Sequence, residues 1–156
     1  MGLLFKILTL FDKSCEIDED DKFMMEMVDR VKYHEGLRLK PYKCPAGKLS
    51  IGYGRNLEDC GITEEEAEEL LLNDLEKAEE DLKRNFAWVE NIDRRKFYAL
   101  VELVFNMGIT RFKGFKKMLG ACEKGEWSKA SDELLDSLYA KQVGKRAKTL
   151  ANILKG

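Results

Sequence analysis

The chain contains little histidine, cysteine or proline, and each shortage narrows the possible functions. His34 is the only histidine in 156 residues, and the four cysteines form no C-x-x-C pair, so a zinc site has little support. A domain of this size needs no disulfide framework, and free thiols are expected. Both prolines lie in residues 41–55 with glycines 47, 52 and 54, which marks a turn-rich segment.

The chain also lacks a long hydrophobic run. Its apolar N-terminus is too short to span a bilayer and has no small-residue cleavage site, so we expect neither a membrane span nor a signal peptide. One helical face there is apolar; it consists of Leu3, Leu4, Ile7, Leu8 and Phe11. That face is suited to packing against the body of the protein or, alternatively, to docking on a membrane or partner.

The composition is that of an ordered globular protein, with 44% hydrophobic and 36% charged residues. The net charge of −2 conceals an asymmetry, because residues 1–93 carry a net charge of −10 and residues 94–156 a net charge of +8. A basic half is suited to an anionic polymer such as nucleic acid, a membrane surface or an acidic cell wall. The two halves attracting each other, or presenting solvated faces, explains the same pattern.

Local signals predict a helix followed by a hairpin in the first half of the chain. Apolar residues recur at helical spacing after the acidic run 16–21, so a helix is expected from Asp20 to His34, with Gly36 as its stop. Residues 41–55 then alternate apolar and turn residues, which predicts a short antiparallel hairpin with its turn at residues 45–47.

The rest of the chain reads as helical. Thr63 and Glu66 form a capping box that opens a long acidic helix. A strongly apolar helix ends at Met107, and shorter ones are expected at 113–124, 128–138 and 144–154. The sequence thus predicts an α+β fold. Residues 1–19 are an extension, and one domain at 20–156 comprises a hairpin lobe (36–62), a connecting helix (63–84) and a helical lobe (85–156). A cleft between the lobes is the expected ligand site.

Glu35 is the leading candidate for chemistry. It stands at the end of the first predicted helix, directly before a hairpin that carries polar side chains back towards it. Cleavage of a glycosidic bond needs a carboxylic acid that donates a proton to the leaving oxygen. Without its surroundings, Glu35 is equally well explained as an exposed helix-end glutamate.

Several ordered motifs surround this residue. They run Glu35-Gly36-Leu37-Arg38-Leu39-Lys40-x-Tyr42, then Gly47, then Ser50-Ile51-Gly52-x-Gly54, then Phe105-Asn106-Met107-Gly108, Trp127 and 139–147. Together they resemble the phage T4 type lysozymes, the endolysin and muramidase family, over most of the chain. Several motifs in compatible order are more specific than any one of them. The resemblance implies a lysozyme-like fold.

The resemblance also implies roles for residues of the first half. Glu35 matches the family's general acid. Ser50 stands where the best-known members carry a threonine that helps to position the attacking water, and Cys44 stands where they carry an aspartate. Arg55 occupies a place where a histidine often follows the glycines.

In the second half, the resemblance implies supporting roles. Arg146 matches a basic residue near the catalytic glutamate, and Phe105 belongs to the helix-end motif. Asn106 and Gln142 are candidates for hydrogen bonds to sugar. The two tryptophans, Trp88 and Trp127, are expected to pack in the core rather than stack on sugars, given their helical spacing.

Cys44 is the departure with the largest consequence, because a thiol near neutral pH lacks the permanent charge of aspartate. Three roles are open for it: a working base or nucleophile, a spectator, or the mark of an inactive relative. The last corresponds to an alternative function, a cell-wall glycan binder without catalysis. A nucleic-acid or membrane binder driven by the basic half is a further alternative.

The expected function is hydrolysis of the β-1,4 bond between N-acetylmuramic acid and N-acetylglucosamine in peptidoglycan, causing lysis of the host cell. No cofactor, metal or nucleic-acid partner is expected. The resemblance implies a monomer that waits in the host cytoplasm until a holin-type partner releases it. An inverting outcome is implied by the family, although the substitution at Cys44 leaves it open.

Overall fold

The first helix and the hairpin form as the local sequence predicts. A computed structural model describes residues 19–156; the apolar face at residues 3–11 and the rest of the predicted extension up to residue 18 lie outside the described residues. Helix α1 spans Glu19–Glu35, with acidic residues in its first turn and basic ones in its last, each matched to the helix dipole. It stops at Gly36, whose φ of 66° is left-handed and whose N–H donates to the carbonyl of Lys32 at 3.0 Å.

Three antiparallel strands follow, in the order β1-β2-β3. Strand β1 spans Arg38–Lys43, β2 spans Leu49–Gly52 and β3 spans Arg55–Asn56. The predicted turn at residues 45–47 joins β1 and β2, and the N–H of Cys44 donates to the carbonyl of Lys48 at 2.9 Å. The pairing of β1 is irregular between Arg38 and Tyr42, where Pro41 has no N–H to donate. The third strand extends the hairpin that was predicted.

A short helix closes this part of the chain. Helix α2, Leu57–Cys60, is capped by the Asn56 side-chain carbonyl, which accepts from the N–H groups of Glu58 and Asp59 at 3.1 and 3.2 Å. The Lys48 ammonium lies 2.8 Å from the Asp59 carboxylate, so an ion pair ties the start of β2 to α2.

The remainder is helical, and its elements are as follows: α3 (Glu64–Asn85), a 3₁₀ turn (Ala87–Asn91), α4 (Arg94–Met107), α5 (Ile109–Phe112), α6 (Lys116–Glu123), α7 (Trp127–Leu135), α8 (Leu138–Val143) and α9 (Lys145–Lys155). Two sequence-based boundaries were wrong. The helix predicted at 113–124 begins only at Lys116, after the separate α5. The helix predicted at 128–138 ends at Leu135, because the Ser137 hydroxyl donates to the Leu134 carbonyl at 2.6 Å and caps α8.

Residue contacts divide the chain between Thr63 and Glu64. We call the described residues 19–63 the hairpin unit and residues 64–156 the helical unit. All buried apolar side chains of the described residues lie in the helical unit, among them Leu100, Leu103, Phe112, Leu134 and Leu150. At about 25 cal/mol per Å² of buried apolar surface, this core is the main source of the helical unit's stability.

Candidate active site

Glu35 is the last residue of α1, and its carboxylate lies against the backbone of Gly54. A methyl group built on Gly54 would stand 3.1 Å from Oε2 of Glu35 and 3.7 Å from its carboxyl carbon. Gly54 also has a φ of 86°, a conformation that side-chain-bearing residues rarely adopt. Glycine at this position therefore lets the helix-end carboxylate approach the end of the sheet.

Ser50 lies in the middle of the same sheet. It pairs with Tyr42 of β1 on one side and with Asn56 of β3 on the other. It is 2% exposed and is the one buried residue among the described residues of the hairpin unit. A hydroxyl on a strand that is paired on both sides has little freedom to move, which suits a group that positions a water.

Cys44 begins the turn between β1 and β2. Its carbonyl accepts from the N–H of Gly47 at 2.8 Å, and its side chain is a half-buried free thiol. Of the lysines near it in sequence, Lys48 is paired with Asp59. The turn therefore holds the backbone of Cys44 on both sides, while its sulfur carries no covalent partner.

Arg55 ties the sheet to the end of the hairpin unit. It lies in β3 opposite Ile51, and its Nε donates to the carbonyl of Gly61 at 2.7 Å. This bond joins the third strand to the residue after α2. This contact of Arg55 therefore supports the position of the third strand.

In the helical unit, the predicted residues lie on α4, α8 and α9. Phe105 is half-buried against the core, whereas Asn106 and Gln142 are exposed near the ends of α4 and α8. The Nε of Arg146 donates to Oε1 of Glu102 at 2.8 Å. Phe105 and Arg146 share the wall of a groove of about 710 Å³ beside α3 and α4.

Sequence reasoning missed two participants of this geometry. Gly54 was visible only as part of a Gly-x-Gly pattern, which signals a turn and not the approach of a carboxylate. Glu102 has no local signal at all, because its partner Arg146 is 44 residues away in sequence. The core packing predicted for Trp88 and Trp127 is confirmed, since both lie against the buried cluster.

Two buried groups of the helical unit have raised pKa values. Burial raises the pKa of the Cys122 thiol to about 12. Burial also raises the pKa of Tyr139, with Glu102 adding to the shift and Arg146 opposing it. Among residues 19–156, no group of three or more histidine, cysteine, aspartate or glutamate residues is placed to hold a metal ion.

An acid held against a glycine, beside a sheet that carries a buried hydroxyl, is the kind of arrangement that serves acid-assisted cleavage of a glycosidic bond. Comparison with known proteins identifies the family within this class of glycosidases. The phage lysozyme family model matches residues 32–153. The chain belongs to the phage lysozyme family. The resemblance, the lysozyme-like α+β fold and the muramidase activity predicted from the sequence are confirmed, and the protein hydrolyses bacterial peptidoglycan.

Three relatives illustrate the range of the similarity. An endolysin of Acyrthosiphon pisum secondary endosymbiont phage 1 is 37% identical over 120 residues, covering 74% of this chain and 80% of the relative. The pre-baseplate central spike protein Gp5 of Enterobacteria phage T4 is 30% identical over 168 residues, 89% of this chain but 29% of that protein. A probable T4-type lysozyme 1 of Dictyostelium discoideum is 27% identical over 155 residues, 81% of this chain and 91% of the relative.

The helices of the described part of the chain are not membrane spans. None of the helices between residues 19 and 156 combines the length and the apolar character that a bilayer crossing needs.

Proposed function

We propose that Glu35 is the general acid of this muramidase. Its proton passes to the oxygen that leaves with N-acetylglucosamine, and the bond between that oxygen and the anomeric carbon of N-acetylmuramic acid breaks. The oxygen of a water forms a bond to the same carbon, and this water gives up one proton to the solvent. The close approach of the Glu35 carboxylate to Gly54 carries the proposal, because it places the acid at the end of the sheet that bears Ser50. Residues 20–156 form the catalytic domain.

We propose that Ser50 orients the attacking water. Its hydroxyl retains the hydrogen-bonding capacity of the family's threonine, and its strand is paired on both sides. Cys44 stands in the turn of the same sheet and assists as a polar neighbour of the water. Inversion is the expected stereochemical outcome, because water and not a protein carboxylate attacks.

The remaining predicted residues support substrate binding in this proposal. Arg55 holds the third strand in place through Gly61. Asn106 and Gln142 are exposed amides and offer hydrogen bonds to sugar, while Phe105 and Arg146 offer an apolar face and a charge. No metal or cofactor takes part, so lysis is expected to continue in the presence of a chelator.

The biological setting follows from the likeness to a phage endolysin. We propose that the protein acts as a monomer, stays in the cytoplasm of the bacterial host and lyses it after a holin-type partner opens the inner membrane. The 37% identity to an endolysin over most of both chains supports this setting.

Clearing of a bacterial wall suspension tests the residue assignments. Glu35→Gln keeps the size of the side chain but removes the acid, so lysis should fall by about a hundredfold to ten-thousandfold. Glu26→Gln, a change of the same type at an exposed position of α1, is the matched control. Full lysis by Glu35→Gln would reject the acid assignment.

Cys44 is tested in the same assay with two variants. Cys44→Ala removes the polar group, and Cys44→Asp installs the family's carboxylate. A large loss in Cys44→Ala with rescue in Cys44→Asp supports participation of Cys44. Unchanged lysis in Cys44→Ala makes Cys44 a bystander.

A further inference from the structure

The ion pair between Glu102 and Arg146 differs in its span from the ion pairs that Lys83, Arg84 and Lys129 form. Those of Lys83, Arg84 and Lys129 join residues three or four apart on one helix. Glu102 and Arg146 instead connect α4 to the first turn of α9. An ion pair within one helix mainly stabilises that helix. The pair between α4 and α9 also fixes the direction of the Arg146 side chain.

The pair also leaves part of the arginine available. The contact uses Nε of Arg146 at 2.8 Å from Oε1 of Glu102, so the N–H groups on the two terminal nitrogens are not needed for it. Within residues 19–156, Glu102 is the ion-pair partner of Arg146. Both side chains are about two-fifths exposed, so a ligand can reach the guanidinium. Its terminal nitrogens are a fork suited to a carboxylate.

Glu102 is well placed to hold the arginine still. Its neighbours Val101 and Leu103 are 4% and 0% exposed, so the helix at this point is anchored in the core. Glu102 itself faces outward and lines the groove of about 710 Å³ with Phe105 and Arg146. A rigid carboxylate that binds Nε restricts the rotamers of a long side chain and so reduces the entropy lost when a ligand binds.

We propose that Glu102 is a positioning residue that orients Arg146 to bind a carboxylate of the peptidoglycan. The inference rests on the proposed role of Arg146 in substrate binding. Glu102 acts through the arginine and does not itself touch the reacting atoms. Loss of Glu102 therefore weakens substrate binding more than the chemical step.

Steady-state kinetics on soluble peptidoglycan fragments test the proposal in four variants. Glu102→Ala removes the partner and should raise KM about fivefold with kcat nearly unchanged, because uniform binding is lost. Glu102→Gln keeps an acceptor for Nε and should restore most of the affinity. Arg146→Ala should raise KM at least as much, and the double alanine variant should be no worse than Arg146→Ala alone.

Two controls separate positioning from other roles. Fragments whose carboxyl groups have been converted to amides should show the same KM with wild type and Glu102→Ala, because the anion that Arg146 binds is gone. The thermal unfolding midpoint should change little in Glu102→Ala, since the pair is well exposed.

An unchanged KM in Glu102→Ala, or losses that add in the double variant, would overturn the inference. A drop in kcat at constant KM would do so too. If Arg146→Ala itself leaves KM unchanged, the proposed role of Arg146 in substrate binding fails instead, so the two failures are distinguishable.

Discussion

The hairpin unit and the helical unit differ in how many buried residues they contain and in which proposed catalytic residues they carry. Ser50 is the only buried residue among the described positions of the hairpin unit, whereas the helical unit contains the whole apolar core of the described chain. The proposed acid, hydroxyl and thiol all belong to the unit with almost no core. The contrast indicates that the hairpin unit relies on turns, caps and strand pairing for its geometry, while the helical unit relies on packing.

The largest expected effect is on the free energy of unfolding, which should depend much more on apolar residues of the helical unit than on those of the hairpin unit. Leu100→Ala removes a fully buried side chain from the helical unit and should cost about 2–5 kcal/mol of unfolding free energy. Leu39→Ala, at a residue of β1 that is 79% exposed, should cost much less. Chemical denaturation measures both. Equal losses would contradict the assignment of the core to the helical unit alone.

The next effect tests the geometry of the hairpin unit. Gly54→Ala and Gly47→Ala both place a side chain at positive φ, and each should cost roughly 1–2 kcal/mol. Only the methyl at position 54 meets the Glu35 carboxylate, since nothing lies within 4 Å at position 47. Gly54→Ala should therefore lose roughly tenfold to a hundredfold more lysis activity than Gly47→Ala. Equal activities would mean that the approach to Glu35 has no catalytic role.

A smaller effect is expected from the buried hydroxyls. Ser50 and Ser131 are both 2% exposed, one in each unit. Ser50→Ala should reduce lysis by roughly tenfold, the equivalent of one hydrogen bond of about 1.4 kcal/mol. Ser131→Ala should leave the activity of the folded protein unchanged. The turbidity assay, corrected for the folded fraction, distinguishes the two, and Ser50→Thr should retain activity.

The smallest effect is alkaline loss of stability in the helical unit. Burial raises the pKa of the Cys122 thiol to about 12 in the folded protein, against 9.0 for an unburied thiol. Below pH 9.0 both states are protonated and nothing changes. Between pH 9.0 and about 12 the unfolded state releases the proton first, so stability falls as pH rises. The fall in unfolding free energy should be shallower in Cys122→Ala, and an identical slope would argue against a buried thiol.

Local features of the hairpin unit were readable from sequence. The stop of α1 at Gly36 and the turn at residues 45–47 each depend on a few neighbouring residues with defined backbone preferences. The strand Arg55–Asn56 was not predicted, because two residues show no alternation and the strand exists only by pairing with β2. Helix α8 was not predicted, because Ser137, which caps it, lies inside the helix that was expected at 128–138.

The candidate site was predictable in its members but not in its contacts. Glu35, Cys44 and Ser50 lie in sequence motifs that resemble those of the phage lysozyme family. The approach of Gly54 to the carboxylate depends on how the end of α1 meets the sheet, which no local pattern encodes. The bond from Arg146 to Glu102 likewise depends on the packing of α4 and α9.

The chemistry assigned to the hairpin unit can be tested most directly by identifying the sugar at the new chain ends. Purified peptidoglycan is digested, the products are reduced with borohydride, and the reduced sugar is identified by mass spectrometry. The account predicts reduced N-acetylmuramic acid with wild type and almost none with Glu35→Gln. Reduced N-acetylglucosamine, an anhydro-muramic acid end, or undiminished product from Glu35→Gln would contradict it.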